Sequence, residues 1–239
     1  MHTYRTNSEP IPEFVSVRVI VQALKLSRNR TTISLSEIAE GAGTTTIFAE
    51  RILENSINIS DASLTFVDSS NRFKLAIQAA RLGALLQVVR VLTWQEFETF
   101  SEECLGTTGF YTRKGVVVKD NSRRWQIDVI AKKGPMILAV DCKHWESPAY
   151  LSKLRNAAEH QKLAVQALLE HMAARGQVGI EGILALPTIL TLFEPRSRVV
   201  DGVVVVSIEQ FADFLEGVSP FSSELPFIHA QNVAKSSIS

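Results

Sequence analysis

Two neighbouring apolar segments with charged residues inside them constrain the fold of this chain more than any other feature. They span residues 126–131 and 137–145, with a short interval containing Gly-Pro between them. Both are rich in β-branched residues, which favours strands covered on both sheet faces. Because side chains alternate along a strand, Asp141 and Lys143 are expected on the same face.

A third charge, Asp128, lies inside the first of the two segments. Two carboxylates and one lysine are therefore expected to meet where burial is costly unless the charges are paired. An ion pair between Asp141 and Lys143 would compensate one of the carboxylates. A bound divalent metal is the candidate that could compensate both.

The composition is typical of a soluble globular protein. The chain has 239 residues, 46% hydrophobic and 21% charged, which allows one large or two small domains. No apolar run approaches the roughly 18 residues that span a bilayer, and the polar N-terminal segment has no signal-peptide core, so we expect a cytoplasmic protein with no membrane partner. Cys104 and Cys142 are the only cysteines and have no metal-ligand spacing, which argues against a disulfide scaffold and a structural zinc site.

Charge is balanced over the whole chain but not locally. Lysine plus arginine and aspartate plus glutamate each number 25. Residues 110–143 nevertheless contain eight bases and three acids, an excess of five positive charges. Such a patch would suit phosphate binding, and the solvated edge of a hairpin would carry the same residues, so both interpretations remain open.

The first part of the chain, residues 1–90, has the element order of a winged-helix domain. The pattern predicts helices at 12–26, 34–39 and 44–53, a strand pair at 57–67 and a long helix at 73–89. Two short helices across the glycine turn at 41–43 are a helix-turn-helix signature. Thr45, Thr46 and Arg51 would then face a DNA groove or its phosphates. Because this segment has few lysines and arginines, a packing or dimerisation module is the alternative.

Residues 91–218 are predicted to form a second domain of mixed α/β class, followed by a tail at 219–239 that lacks periodicity. The pattern predicts a helix at 94–105, strands at 114–119, 124–131 and 136–143, a long helix at 149–175, strands at 179–186, 190–193 and 202–207, and a helix at 208–215.

Two polar side chains on the predicted helices of this domain are candidates to reach the sheet. Glu98 borders the apolar stripe of its helix and is the best placed of four acids there; a surface glutamate is the alternative. Gln161 interrupts the apolar stripe of the long helix. It either faces the site or hydrogen-bonds to backbone.

These residues together resemble the PD-(D/E)xK nuclease superfamily, the restriction-endonuclease-like fold. The resemblance rests on a helical Glu98, Asp128 in a short strand and, thirteen positions later, Asp141-Cys142-Lys143. It is closest to the Mrr-like restriction endonucleases and the archaeal Holliday-junction resolvases, and covers residues 92–215. It implies a mixed sheet flanked by helices, with the winged-helix segment as an appended domain.

Two departures from the family pattern accompany the resemblance. No proline precedes Asp128, and many Mrr-like sequences have glutamine where this chain has Asp141. Asp120 is the rival for the first acid, but it falls in a predicted bend among polar residues. Asp128 is therefore preferred.

The resemblance implies a metal-dependent DNA nuclease that hydrolyses phosphodiester bonds, of the restriction or the repair and recombination type. Glu98, Asp128 and Asp141 would hold Mg²⁺, with Mn²⁺ as a substitute, because a hard dication takes oxygen ligands. Lys143 would orient or deprotonate the attacking water. Gln161 looks like a glutamine that some relatives keep on the following helix.

DNA is the partner that this resemblance implies. Arg123 and Arg124 are candidate contacts to it, and a homodimer would suit cleavage of both strands, which favours an endonuclease over an exonuclease. The residues are compatible with junctions, flaps, methylated sites and plain duplex alike. His144 and Trp145 are interpreted as structural. A non-catalytic DNA-binding protein and an oligomerisation module are the alternative functions.

Overall fold

The computed structural model describes residues 11–30, 32–57, 64–119, 123–148, 150–176 and 182–231. The chain divides into two compact units, Met1–Thr93 and Trp94–Ser239. Within the described ranges, no helix is both long enough and apolar enough to cross a membrane.

The N-terminal unit consists of short helices and one pair of strands. Its elements are α1 (Glu13–Leu26), β1 (Thr32–Ser34), α2 (Leu35–Ala42), α3 (Thr46–Glu54), β2 (Leu64–Phe66), α4 (Ser69–Ala79) and α5 (Leu85–Val91). A capping box between Ser34 and Glu37 starts α2, and Gly43 in the left-handed conformation ends it. β1 pairs with β2 in antiparallel fashion. The bend of the strand pair, predicted at 61–63, lies outside the described residues, so the winged helix stays a prediction.

The long helix predicted at 73–89 is broken in the structure. α4 ends at Ala79, a π-helical turn follows at Ala80–Ala84, and α5 begins only at Leu85. Gly83 has a φ of 81°, which interrupts the helical path. The apolar periodicity continues through this kink, which is why the sequence pattern alone predicts one helix.

The C-terminal unit is a mixed sheet flanked by helices, which confirms the predicted fold class. Its elements are α6 (Trp94–Thr107), β3 (Tyr111–Lys119), β4 (Arg124–Lys133), β5 (Met136–Lys143), α7 (Leu151–Ala174), β6 (Leu184–Thr191), β7 (Val199–Val200), β8 (Val203–Ser207), α8 (Phe211–Gly217) and β9 (Ile228–His229). The strand order is β3-β4-β5-β6-β8-β7, with β9 pairing to β6. β3, β4 and β5 are antiparallel neighbours, whereas β5, β6 and β8 run parallel.

The sheet differs from the sequence prediction at β6 and after α8. The predicted strand pair at 179–186 and 190–193 is one continuous strand through Pro187. On the side away from β5, β6 pairs first with β9, at Leu184 and Ala185, and then with β8, from Thr188 onward. Pro187 lacks an N–H and falls between these two pairings. The segment predicted as a tail from 219 thus supplies a strand, and its Ala230 is buried in the core.

Candidate active site

Asp141 and Lys143 lie side by side at the end of β5, as their spacing predicts. Lys143 Nζ is 2.8 Å from Asp141 Oδ2. The ammonium does not approach with hydrogen-bond geometry, and within the described residues Asp141 Oδ2 is a buried oxygen that accepts no hydrogen bond. Since the residue is only 8% exposed, this carboxylate lacks the solvation that would normally stabilise its charge.

The side chain of Asp128, on β4, is held against the backbone of the neighbouring strand β5. The ladder between β4 and β5 ends at the pair Val129 and Val140. Beyond that pair, Asp128 Oδ2 accepts a hydrogen bond of 2.8 Å from the backbone N–H of Cys142. The carboxylate thus takes the place of a strand partner, which fixes it beside Asp141.

Burial beside Asp141 makes Asp128 harder to ionise. Burial, and then the charge of Asp141, raise the pKa of Asp128 to about 7, against the lowering effect of the Cys142 hydrogen bond. Burial and the charge of Asp128 also raise the pKa of the Cys142 thiol well above its usual value. That thiol is therefore neutral at physiological pH, and the negative charge at the site is carried by the carboxylates.

Gly115 on β3 reverses the side-chain alternation next to Asp128. Lys114 Nζ donates a hydrogen bond of 2.6 Å to Thr99 Oγ1 of α6. Val116 and Val118, in contrast, pack in the apolar cluster that contains buried residues of α7. Residues two and four positions apart in a regular strand share one face, so the backbone turns over between Lys114 and Val116. Gly115 has a φ of 63°, and the ladder between β3 and β4 skips it.

Glu98 faces the interior of this unit and not solvent. It is 7% exposed on α6, so the alternative of a surface glutamate is wrong. Burial raises its pKa, the Lys114 ammonium lowers it, and the charge of Asp141 raises it again. Glu98 is therefore within electrostatic reach of both Asp141 and Lys114. The sequence pattern placed Lys114 only in a general basic patch, since the strand reversal that brings it to α6 has no strong sequence signal.

The described residues contain no group of three His, Cys, Asp or Glu side chains arranged to hold a metal ion. Asp128 and Asp141 provide adjacent carboxylates, and the unsatisfied Oδ2 of Asp141 fits a hard divalent cation. Glu98 does not join them as a third ligand in this arrangement. The assignment of all three as ligands stays a prediction.

Gln161 adopts the backbone-bonded alternative. Its Nε2 donates to the carbonyl of Ala139 on β5 at 2.6 Å, with a longer contact of 3.4 Å to the carbonyl of Thr188 on β6. The side chain is 1% exposed. Gln161 therefore ties α7 to the parallel strands β5 and β6, and its catalytic role stays a prediction.

His144 and Trp145, at the end of β5, contact other side chains of the domain. The His144 ring meets Phe97 of α6 edge-on at 5.5 Å, and Lys153 Nζ lies 4.3 Å from the centre of the Trp145 ring. These contacts fit the structural role predicted for both residues.

A cluster of three side chains near the site was not predicted from the sequence. The Arg123 guanidinium lies 3.4 Å from the centre of the Trp125 ring, and that ring is 5.2 Å from His160 of α7. Partial burial lowers the pKa of His160, while the charge of Asp141 opposes the shift. The helix periodicity of α7 gives His160 no distinguishing feature, because only the fold brings it to Trp125.

The remaining predicted DNA contacts are distributed over both units. Thr45 caps α3 by accepting a hydrogen bond from the Phe48 N–H at 3.3 Å, and Thr46 is exposed beside it. Arg51 is half-buried, and Arg124 is exposed on β4. Asp120, the rival for the first acid, lies outside the described residues.

Comparison with known proteins gives a family match over a residue range that includes these side chains. Residues 89–186 match the profile of the Mrr catalytic-domain family, described as restriction endonuclease. An uncharacterized protein of Archaeoglobus fulgidus is 27% identical over 138 residues, which is 57% of this chain and 100% of that protein.

Two solved structures also match, at low similarity. AF1548, a protein of unknown function, gives a TM-score of 0.35 at 20% identity, covering 48% of this chain and 57% of that one. Protein VC1899 from Vibrio cholerae gives 0.36 at 12% identity, covering 87% and 56%. This chain spans little more than half the length of either structure.

Proposed function

We propose that the restriction-endonuclease-like domain of this chain, whose residues 89–186 match the Mrr catalytic-domain family, is a divalent-metal-dependent deoxyribonuclease. Its site would comprise Asp128, Asp141 and Lys143, with Glu98 beside them. An endonuclease acting in restriction or in DNA repair and recombination fits this proposal, and Mg²⁺ is the expected cation. Two copies of the chain would serve to cut both strands.

The observation that carries the proposal is that the negative charge of the two aspartates is incompletely stabilised. Asp141 Oδ2 is buried with no hydrogen bond from the described residues, and the pKa of the adjacent Asp128 is raised to about 7. Buried carboxylate oxygens normally accept hydrogen bonds, so the unsatisfied oxygen of Asp141 next to a second carboxylate needs a reason. A bound cation supplies one.

The residues of the site divide the chemistry between them. A divalent cation held by Asp128 and Asp141 would stabilise the negative charge that develops on the phosphate and the leaving oxygen. Lys143, already beside Asp141, would orient the attacking water or take its proton. Glu98 would add negative charge next to the two aspartates, which favours cation binding over the metal-free site.

The test compares the parent with Asp141→Ala on branched, single-stranded, duplex and methylated DNAs, each with Mg²⁺ or Mn²⁺. We expect the parent to cut at least one DNA and the variant to be inactive. Asp213→Ala, at an exposed position of α8, is the matched control and should retain activity. As a readout independent of cleavage, Mg²⁺ or Mn²⁺ should raise the Tm of the parent and of the control, but not that of Asp141→Ala.

A parent that cuts no DNA with either metal, or an Asp141→Ala variant that cuts as fast as the parent, would contradict the proposal. A second function, DNA binding without cleavage, is favoured by one observation, the absence of a three-ligand metal group among the described residues. In that case DNA would bind with a strong salt dependence and neither metal would change the Tm.

A further inference from the structure

A long groove lies on the C-terminal unit between the β3–β4 strands and the C-terminal half of α7. Its volume is about 850 Å³. β4 contributes Arg124 near one end of the strand and Lys132 near the other. The two residues are eight positions apart along the strand, or about 26 Å, so the groove is long enough for several nucleotides or a short peptide.

The rim of the groove is basic. Five permanently charged side chains line it, and no acid is among its described lining residues: Arg113, Lys119, Arg124, Lys132 and Arg175. No carboxylate of the described residues forms an ion pair with any of the five. The groove therefore presents uncompensated positive charge, which is complementary to a polyanion.

The floor of the groove is apolar. It is formed mainly by Val116, Val118, Ile130, Leu168 and Met172. Tyr111 stands at the edge with 73% of its surface exposed. A ligand that fills the groove must therefore combine regularly spaced negative charges with flat or apolar groups.

We propose that this groove binds an unpaired DNA strand, with phosphates on the basic rim and bases on the apolar floor and Tyr111. A duplex would present its phosphates but keep its bases stacked inside, leaving the floor unused. An acidic peptide could match the rim, but a DNA strand also explains why β4 carries the groove bases Arg124 and Lys132 on either side of Asp128. The preference for DNA over a peptide and the delivery of this strand to Asp128 rest on the proposed nuclease function, whereas the binding test does not.

The test measures binding without cleavage, by fluorescence anisotropy in EDTA. The probes are a labelled oligo(dT) of about twelve nucleotides, a duplex of the same length and an acidic peptide rich in glutamate and leucine. We expect oligo(dT) to bind more tightly than either competitor. The double substitution Arg113→Glu and Lys132→Glu should weaken oligo(dT) binding by about tenfold or more and reduce the salt dependence by roughly two phosphate contacts.

Two controls separate the groove from general charge and from misfolding. Lys162→Glu, an exposed change on α7 outside the groove, should alter oligo(dT) affinity by less than about twofold. Tyr111→Ala should weaken oligo(dT) binding about fivefold or more without changing duplex binding. Tyr111→Phe, which keeps the aromatic ring, should bind oligo(dT) as the parent does. Because Tyr111 is exposed, neither change should lower the Tm appreciably.

Three results would overturn the inference: tighter binding of the acidic peptide, equal binding of duplex and oligo(dT), or equal effects of Lys162→Glu and the double substitution. Absence of cleavage in the metal assays would contradict the nuclease proposal alone. Oligo(dT) binding in EDTA would then still stand.

Discussion

The carboxylate site and the basic groove are built on the same strand, β4, and have opposite physical character. The site is closed and acidic, with Asp141 only 8% exposed. The groove is open, and its charged rim contains five bases and no acid among the described lining residues. Acids outnumber bases in the site, whereas the described lining of the groove contains bases and no acid. Under the proposed function, holding DNA and cutting it would fall to separate groups of side chains.

Lys143→Met should give the largest difference between the effect on cleavage and the effect on DNA binding. Removing the ammonium should lower the cleavage rate by about 10²-fold to 10⁴-fold, because a positioned proton-transfer group contributes that much. Oligo(dT) affinity in EDTA should stay within about twofold, since Lys143 does not line the groove. Single-turnover cleavage and anisotropy measure the two effects, with Lys162→Met as the control. A parallel loss of binding and rate would show that the regions are not separable.

Asp128 should make the stability of the metal-free protein depend on pH. Its pKa is about 7 in the folded protein, against 3.8 for an ordinary aspartate. Between these values the unfolded chain has released a proton that the folded protein retains, so stability should fall as pH rises from 3.8 to 7 and level off above. Urea unfolding in EDTA at stepped pH measures this slope.

Asp128→Asn should flatten that slope because the titrating group is removed. Asp213→Asn, at an exposed position, should keep the slope of the parent. Added Mg²⁺ should stabilise the parent most above pH 7, where Asp128 is ionised and can bind a cation. An unchanged slope in Asp128→Asn would assign the pH dependence to another group.

Gly115→Ala should affect both regions, because the strand reversal at Gly115 serves the site and the groove together. The new Cβ would meet no atom within 4 Å, so the cost comes from the positive φ alone, about 1–2 kcal/mol of unfolding free energy. Cleavage and oligo(dT) binding should both weaken. Gly106→Ala on α6 also meets open space but has no positive φ, so it should be neutral or stabilising. Chemical denaturation distinguishes the two.

Arg51→Ala should have the smallest effect. α3 exposes Ile47 and Phe48 to solvent and carries one arginine, whereas the groove rim carries five bases. DNA affinity should fall by less than about twofold, with little change in its salt dependence. A larger loss in anisotropy would instead support DNA contact by the predicted recognition helix.

The local elements of the site follow closely from the sequence. The prediction for β5 matches the structure from Met136 to Lys143, and period two correctly places Asp141 beside Lys143. α6 begins at Trp94, as predicted, with Glu98 buried. These features depend on alternation and helical periodicity, which act over a few residues and are visible in one sequence.

The features that depend on distant contacts did not follow from the sequence. Lys114 reaches α6 only because Gly115 turns the strand over, and His160 meets Trp125 only because α7 packs on β4. Gly83 interrupts a helix whose apolar pattern is continuous. A glycine can either continue a helix or strand or interrupt it, and tertiary packing decides which of the two occurs.

The short pairing of β9 with β6 has a consequence for truncated forms of the chain. β9 covers Leu184 and Ala185 on the side of β6 where β8 has not yet begun, and Pro187 offers no donor in the interval. A chain ending at Val218 would leave an uncovered sheet margin next to the buried core. Such margins recruit strands from other molecules, so we expect a chain that lacks β9 to aggregate more readily.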